Sequence, residues 1–172
     1  MNDMITQKAE LTFKGNLRQG RHSWLRLTPA YSVQVVQQLL DELDDAGRVL
    51  DPFSGTGTTG LVCAECGLTC DLLELNPFLA WLARVKTRNY TEAELAACWE
   101  LAQAAVTQVQ EHADSEQVWV PPIHHIERWW TPERLATLAG LFHGLQSLRR
   151  KQDPALDLAL IAFCRVAIEW SY

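Results

Sequence analysis

One stretch constrains the fold of this chain more than any other: RVLDPFSGTGTTG, from Arg48 to Gly60. Its apolar start is typical of a short buried strand, and the glycines and hydroxyl residues that follow predict a turn into a helix. Gly55, Gly57 and Gly60 have the spacing G-x-G-x-x-G. Gly55 and Gly57 can adopt a positive φ, which lets a ligand lie against bare backbone. A turn that binds nothing is the alternative, although one glycine would suffice for it.

The residues after this turn extend the pattern. A helix from Thr58 to Cys66 leads to a second strand, TCDLLEL, with Glu74 at its end, and NPFLAWLARVKTRNY predicts another helix. This alternation predicts the opening of a parallel, doubly wound α/β sheet. The carboxyl ends of parallel strands meet at one edge of the sheet, so Glu74 would lie beside the turn. A carboxylate there can accept hydrogen bonds from both hydroxyls of a ribose. We therefore expect a nucleotide-like cofactor.

Further helices are predicted on both sides of this core. Residues 91–113 form one of them, and QVWVPP after it is either a short strand or an extended connector. Three others begin with a capping residue followed by proline, a combination favoured at helix starts. These pairs are Thr28–Pro29, Thr131–Pro132 and Asp153–Pro154.

We divide the 172 residues into three segments. Residues 1–27 form a basic, irregular segment, residues 28–113 form the cofactor-binding α/β core, and residues 114–172 form a connector and helices. The chain has no apolar run long enough to span a membrane, no charged-then-apolar leader, and five cysteines, an odd number. We therefore expect a cytoplasmic protein with reduced thiols.

Charge limits how the chain could bind nucleic acid. Its net charge is −6, whereas phosphate binding needs clustered Lys and Arg. The charge is uneven, because the segment from Leu11 to Ala30 carries four basic residues and no acidic one. A solvated basic loop is the simpler explanation of this segment.

Three cofactors compete for the glycine turn. A phosphate-binding P-loop requires a Lys after its glycines, and none follows here. A nicotinamide dinucleotide fits the glycine spacing, but the carboxylate of Asp51 would face the place of the pyrophosphate and repel it. A carboxylate suits a ligand that carries an ammonium and a sulfonium better. S-adenosylmethionine is such a ligand.

At these residues the chain resembles a known family. LDPFSGTGTTG is similar to the cofactor loop of S-adenosylmethionine-dependent DNA amino-methyltransferases, which commonly read D-P-F-x-G-[ST]-G-T-T. LLELNPFLAWLARVKT resembles the second strand and following helix of that family, and RHSWLRLTPAYSVQVVQQLL resembles its motif before the loop, which helps to enclose the methionine end. The resemblance is specific from about His22 to Tyr90. It implies an incomplete Rossmann-like methyltransferase fold of the α/β class, with a parallel sheet and additional helices.

The resemblance also implies a set of cofactor-binding residues around the turn. Glu74 would hold the ribose hydroxyls. The others are Asp51, Phe53, Gly55 and Gly57 beside the methionine and ribose, Asn76 and Pro77 beside the adenine, and Thr28 and Pro29 in the upstream motif.

Members of the family also carry a catalytic tetrapeptide, [DNS]-P-P-[YFW]. Its first residue and a prolyl carbonyl orient the amino group of the target base, and its aromatic residue stacks on the flipped-out base. The candidate here is VPPI, in which Val120 offers no side-chain acceptor and Ile123 no flat ring. We expect Pro121 and Pro122 to form a rigid connector and the chain to hold no catalytic residue. The Pro-Cys pair of cytosine-C5 enzymes is absent too.

These departures suggest the front half of a DNA methyltransferase. The chain ends on the helix LIAFCRVAIEWSY, after which the family usually continues to its catalytic strand. We expect either a truncation or a subunit that pairs with a second polypeptide, acts on DNA with it, and does not methylate DNA alone. The alternatives are a catalytically silent S-adenosylmethionine-binding assembly subunit and a nicotinamide oxidoreductase fragment.

The cysteine, histidine and tryptophan motifs are better explained by structural roles than by metal binding or base stacking. Cys63, Cys66 and Cys70 have a metal-like spacing but lack the second pair that zinc usually needs. We expect buried thiols there and a polar loop at His124–His125, with no metal at either. Trp129–Trp130 could stack on bases, but packing of the connector against the helices is the simpler expectation.

Overall fold

The computed structural model describes residues 13–25, 30–43, 47–111, 119–148 and 153–171. The chain divides into two compact units, residues 1–88 and residues 89–172. No helix in these described ranges is long and apolar enough to cross a membrane. The first unit contains, in order, 3₁₀ helices Phe13–Arg18 and Gly20–Ser23, α1 (Val33–Asp41), β1 (Arg48–Asp51), α2 (Thr58–Glu65), β2 (Thr69–Leu72) and α3 (Pro77–Thr87).

The two strands confirm the predicted β-α-β order. β1 and β2 pair in parallel, with Arg48 opposite Thr69 and Asp51 opposite Leu72, and α2 makes the connection between them. The fold is thus mixed α/β, mostly helical, with a two-stranded parallel sheet in the described residues.

The prediction that β1 is buried was wrong for most of the strand. Asp51 is buried and Val49 is half-buried, whereas Arg48 and Leu50 are exposed. Because side chains alternate between the faces of a strand, Arg48 and Leu50 share one face. No described element covers that face, and Leu50 keeps 61% of its surface exposed.

One core cluster of the first unit lies between α1 and α2. Val33 and Val36 pack against Val62, with Leu40 alongside. These apolar residues line one face of α1, whereas Leu43 lies beyond the helix and is exposed.

The start of α1 differs from the prediction. The helix begins at Val33, and residues 30–32 before it are not helical. Thr28 and Pro29 lie outside the described residues. The buried side chain of Asn16 takes over the cap: its Oδ1 accepts a hydrogen bond from the amide of Val33 at 2.9 Å, and its Nδ2 donates to the carbonyl of Tyr31 at 2.6 Å.

The second unit is helical. It contains α4 (Glu92–Glu111), a 3₁₀ helix (Ile126–Arg128), α5 (Pro132–Ser147) and α6 (Pro154–Glu169). Thr131 caps α5 and Asp153 caps α6, as predicted. Residues 119–123 form no strand, in agreement with an extended connector.

The long helix α4 belongs to this second unit, whereas the sequence grouped residues 91–113 with the cofactor-binding core. The reason is its apolar face. Ala105 of α4 forms one cluster with Leu145 of α5 and with Leu156 and Ala159 of α6. Amphipathic periodicity predicts that a helix has a buried face but does not identify the element that covers it.

Candidate functional site

The glycine turn lies between β1 and α2. Gly55 and Gly57 both have positive φ, at 50° and 78°. The amide of Gly57 donates to the carbonyl of Ser54 at 2.8 Å, and the carbonyl of Gly57 accepts the first helical bond, from Leu61, at 3.0 Å. The chain therefore reverses tightly and enters α2 within a few residues. We call residues Phe53–Gly57 the glycine turn from here on.

Glu74 lies beside the glycine turn, as the sequence predicts for an acid after the second strand. Its Oε2 accepts a hydrogen bond from the amide of Gly55 at 2.9 Å. Its Oε1 accepts one from the amide of Asn76 at 2.8 Å. A carboxylate has about four acceptor positions, so two remain for further donors such as ribose hydroxyls. The side chain is half-buried, which leaves those positions within reach of a ligand.

Asn76 and Pro77 start α3. The Oδ1 of Asn76 accepts hydrogen bonds from the amides of Phe78 at 2.9 Å and Leu79 at 3.4 Å, and Pro77 occupies the first turn of the helix. This is a helix cap of the usual kind. Its position directly after Glu74 ties the start of α3 to the glycine turn.

Asp51 and Ser54 hold buried polar atoms without a protein partner. Asp51 is 7% exposed; its Oδ1 accepts from the amide of Phe53 at 3.0 Å, but its Oδ2 has no hydrogen-bond partner among the described residues. The Oγ of Ser54, which is 3% exposed, has none there either. Leaving a buried polar group unpaired costs about 1–3 kcal/mol. A ligand that carries both donors and acceptors would satisfy this pair, so the residues fit S-adenosylmethionine.

Exposed apolar side chains follow the ends of both strands. Phe53 and Leu75 keep 77% and 99% of their surface exposed, and Leu73 and Phe78 keep 56% and 41%. Ser54 and Leu73 are joined by a backbone hydrogen bond of 3.0 Å, so Phe53 lies close to the end of β2. These side chains give the glycine turn an apolar border, of which Phe53 was predicted as a site residue.

Gly57 has a structural role that the sequence analysis did not foresee. A Cβ placed on it would lie 2.7 Å from the Cβ of Ala83 and 2.9 Å from the Cα of Ala83. Real Cβ atoms do not approach backbone so closely, so glycine is required here for the packing of α3. A valine at this position would therefore displace α3.

Lys86 was not among the site residues predicted from the sequence. Its side chain is 1% exposed, and its Nζ donates to the carbonyl of Thr56 in the glycine turn at 3.0 Å. Burial lowers the pKa of Lys86 to about 8. The sequence did contain a signal, since Lys86 lies four residues after Leu82 on the buried stripe of α3. A lysine on an apolar stripe is rarely fully buried without a specific partner.

His22 and Arg21 come from the segment upstream of α1. His22 is 6% exposed, its Nε2 lies 3.7 Å from Glu65 Oε1, and neither ring nitrogen has a hydrogen-bond partner among the described residues. Burial is the main cause that lowers its pKa, with Lys86 adding to the effect and Glu65 opposing it. Arg21 donates to the carbonyls of Arg88 at 2.6 Å and Lys86 at 3.3 Å. The upstream motif thus holds the end of α3.

The cysteines all carry free thiols. Cys63 is buried, Cys70 is half-buried and Cys66 is exposed, so the expected burial holds in part. Burial raises the pKa of Cys63 and raises that of Cys70 to about 12, and in both cases the carboxylate of Asp51 adds to the effect. The described residues form no group of three or more His, Cys, Asp or Glu that could hold a metal ion.

The tryptophan pair of the second unit is split between two environments. The Nε1 of Trp130 donates to the carbonyl of Ala167 at 2.8 Å, which confirms that it packs against a helix. Trp129 keeps 53% of its surface exposed. His124 and His125 are exposed, and the Nδ1 of His125 lies 2.9 Å from Glu127 Oε1, consistent with a polar loop.

Comparisons with known proteins bear on the identity of this site. The chain is 33% identical over 79 residues to the Type II methyltransferase M.AvaI of Nostoc, a match that covers 45% of this chain and 16% of the relative. It is 32% identical over 69 residues to M.BsoBI of Geobacillus stearothermophilus, covering 39% of this chain and 14% of the relative. It is 55% identical over 38 residues to M.SmaI of Serratia marcescens, covering 22% and 13%.

These matches are partial, and each spans about a sixth or less of the relative. No family model matches the chain, and no solved structure does. The relatives are nevertheless named Type II methyltransferases, which agrees with the resemblance of the glycine turn and its surroundings to DNA methyltransferases. The predicted resemblance is confirmed, and the chain is a DNA methyltransferase-like protein.

Proposed function

We propose that this chain binds S-adenosylmethionine as the cofactor-binding part of a DNA methyltransferase that methylates an exocyclic base amino group. The observation that carries the proposal is a pair of buried polar atoms between β1 and α2, Asp51 Oδ2 and Ser54 Oγ, which have no hydrogen-bond partner in the ranges that the structure describes. A partial similarity to Type II methyltransferases supports it.

Different residues of the site would bind different parts of the ligand. Asp51 and Ser54 would receive the amino-acid end, and Gly55 and Glu74 would receive the ribose. Phe53 would border the ligand with its exposed ring, while Asn76 and Pro77 would keep the start of α3 beside the adenine. Thr28 and Pro29 would enclose the methionine end. When bound, S-adenosylmethionine supplies a methyl group activated by a sulfonium.

A nicotinamide dinucleotide suits this turn less well. Its pyrophosphate would lie against the turn that follows β1, where one oxygen of the buried Asp51 carboxylate has no donor within the described part of the chain. An anion there would add repulsion without satisfying that oxygen, whereas an ammonium satisfies it. We therefore prefer a cationic ligand.

The catalytic tetrapeptide is proposed to come from a second polypeptide. In the connector VPPI, Val120 and Ile123 supply neither an acceptor nor a ring, and the amide of Ile123 bonds the carbonyl of Pro121 at 2.7 Å. A partner carrying [DNS]-P-P-[YFW] would orient the base amino group, and both chains would act on DNA. The proposed reaction on DNA places the protein in the cytoplasm, where thiols stay reduced. The alternative from another class is a silent cofactor-binding assembly subunit.

A calorimetric titration tests the binding proposal. S-adenosylmethionine should bind the purified chain and NAD should not. Asp51→Asn keeps the shape and the bond to Phe53 but removes the charge, so we expect affinity to fall about tenfold or more. The control is Asp71→Asn, because Asp71 is an exposed partner of Arg48 and should leave affinity unchanged. Binding of NAD in preference, or equal affinity of Asp51→Asn and wild type, would overturn the assignment.

A methyl-transfer assay separates the enzyme from the silent subunit. Unmethylated DNA and labelled cofactor are incubated with the chain, with and without a polypeptide that carries the tetrapeptide. We expect transfer only with the partner. Transfer by the chain alone would place the catalytic group within it, and no transfer with any such partner would favour the assembly subunit.

A further inference from the structure

We propose that Lys86 is a positioning residue that holds the glycine turn in its binding conformation by fixing the peptide between Thr56 and Gly57 from beneath. The inference rests on the proposed function for its ligand. The support itself, which is the hydrogen bond from Lys86 to the carbonyl of Thr56 and which we call the Lys86 strut, can be tested without a ligand.

A single peptide plane carries the argument. The carbonyl of Thr56 accepts a hydrogen bond from Lys86 Nζ at 3.0 Å. The amide of Gly57, in the same peptide, donates to the carbonyl of Ser54 at 2.8 Å. Because a peptide unit is planar, fixing both of its polar groups fixes its orientation. That peptide leads into Gly57, whose φ of 78° begins α2, so its orientation sets the path of the turn.

The helix that carries Lys86 is itself held in place at several points. Ala83, three residues earlier and on the same face of α3, packs directly against Gly57. At the start of α3, Asn76 is joined to the turn through Glu74. At its end, Arg21 donates to two backbone carbonyls. Because these contacts hold α3 in place, they also fix the position from which the Lys86 side chain reaches the turn.

The burial of this ammonium needs a reason. Lys86 is 1% exposed, and placing a charge in the interior is costly, so an apolar residue of similar size would pack there more cheaply. A need for a strong hydrogen-bond donor at the carbonyl of Thr56 would explain why a charged residue lies at this position. Charge-assisted hydrogen bonds are roughly twice as strong as neutral ones.

The groups around the ammonium set its pH dependence. Burial lowers the pKa of Lys86 to about 8. His22, from the 3₁₀ helix Gly20–Ser23, and Glu65, from α2, are close to each other, and the charge of Lys86 helps to lower the pKa of His22. Arg21 contacts the backbone carbonyl of Lys86. With His22 neutral, Lys86 is the buried cation beneath the turn, and it weakens as a donor when the pH rises through about 8.

Two variants on one helix test the role. Lys86→Met removes the donor and keeps an apolar chain of similar length. Arg84→Met makes the same kind of change at an exposed position of α3. We expect S-adenosylmethionine affinity to fall about tenfold in Lys86→Met, the size expected for one charge-assisted hydrogen bond, and to change less than about twofold in Arg84→Met.

The pH profile of binding gives a readout that a merely structural role would not move. Wild-type affinity should decline between about pH 7 and pH 9.5 more steeply than that of Lys86→Met. The amino group of the ligand titrates equally in both proteins, so the difference between the two profiles isolates Lys86. Parallel profiles with a folded Lys86→Met variant that binds like wild type would overturn the proposal.

Amide hydrogen exchange at Gly57 tests the strut in the wild-type chain alone. For a local opening that breaks the bond to Thr56 while Lys86 stays buried, protection at Gly57 should fall several-fold, after correction for intrinsic exchange, as the pH rises through the pKa of Lys86. Protection of the α6 amides should not fall. Constant protection at Gly57 would refute the strut, even if Lys86→Met failed to fold. A chain that shows the change in protection yet binds no S-adenosylmethionine would instead refute the proposed function.

Discussion

The glycine turn and the helical second unit differ in the side chains that hold their backbone and in the pairing of their buried polar atoms. In the second unit, the cluster of Ala105, Leu145, Leu156 and Ala159 is apolar, and local side chains cap the helices. Around the turn, side chains from distant segments hold the backbone, and two buried polar atoms, on Asp51 and Ser54, have no partner among the described residues. In the described part of the helical unit, no buried side-chain polar atom lacks a partner. The contrast agrees with the proposal that the turn receives a ligand.

The largest effect is expected at Gly57. Gly57→Val would place a β-branched residue at a φ of 78° and against the backbone of Ala83. Strain and overpacking together should lower the free energy of unfolding by about 4 kcal/mol, and binding should be lost. Urea unfolding and calorimetry measure both.

Gly67→Ala is the matched control, because Gly67 has a φ of 73° with nothing near its Cβ position. It should cost only the backbone strain, about 1 kcal/mol. Equal losses in the two variants would show that the contact with Ala83 does not matter.

A core truncation in the helical unit should separate stability from binding. Leu156 is 3% exposed within its cluster, so Leu156→Ala should cost about 3 kcal/mol through lost burial and a cavity. Because we place the cofactor in the first unit, S-adenosylmethionine affinity should stay within about twofold of wild type where the variant is folded. A large loss of affinity in the folded variant would break the distinction between the two regions.

The sequence predicted the local elements of both regions and missed the contacts between distant segments. The strands, their parallel order, Glu74 beside the turn and the caps at Thr131 and Asp153 follow from periodicity, glycine spacing and capping preferences. Asn16 capping α1 and Lys86 supporting Thr56 do not, because they join residues that are 17 and 30 positions apart. The grouping of α4 differed for the same reason, since the partner of an apolar face is a tertiary property.

The titration of Lys86 gives a smaller effect with a defined sign. Its pKa is lowered from 10.5 to about 8 in the folded chain, so the unfolded chain binds the proton more tightly. Between these values the unfolded state holds more protons, and stability therefore rises with pH. From about pH 7 to pH 9.5, wild type should gain about 2 kcal/mol relative to Lys86→Met.

Thermal or urea unfolding of the two proteins across that range measures this difference. The cysteine thiols, whose pKa values burial raises, act in the opposite direction but equally in both proteins. A constant difference in stability would show that burial does not lower the pKa of Lys86.

The smallest effect compares two helix caps. Asn16 caps α1 from another segment, whereas Asp153 caps α6 locally through the amides of Ala155 and Leu156. Asp153→Ala should cost about 1 kcal/mol, the usual value of a cap.

Asn16→Ala should cost about 2 kcal/mol, because it also leaves the carbonyl of Tyr31 without its buried donor. Since Val33 lies within the upstream motif, Asn16→Ala should in addition weaken S-adenosylmethionine binding a few-fold, and Asp153→Ala should not. Urea unfolding with parallel titrations distinguishes the two, and equal behaviour of both variants in both assays would show that the upstream segment contributes nothing to the site beyond an ordinary cap.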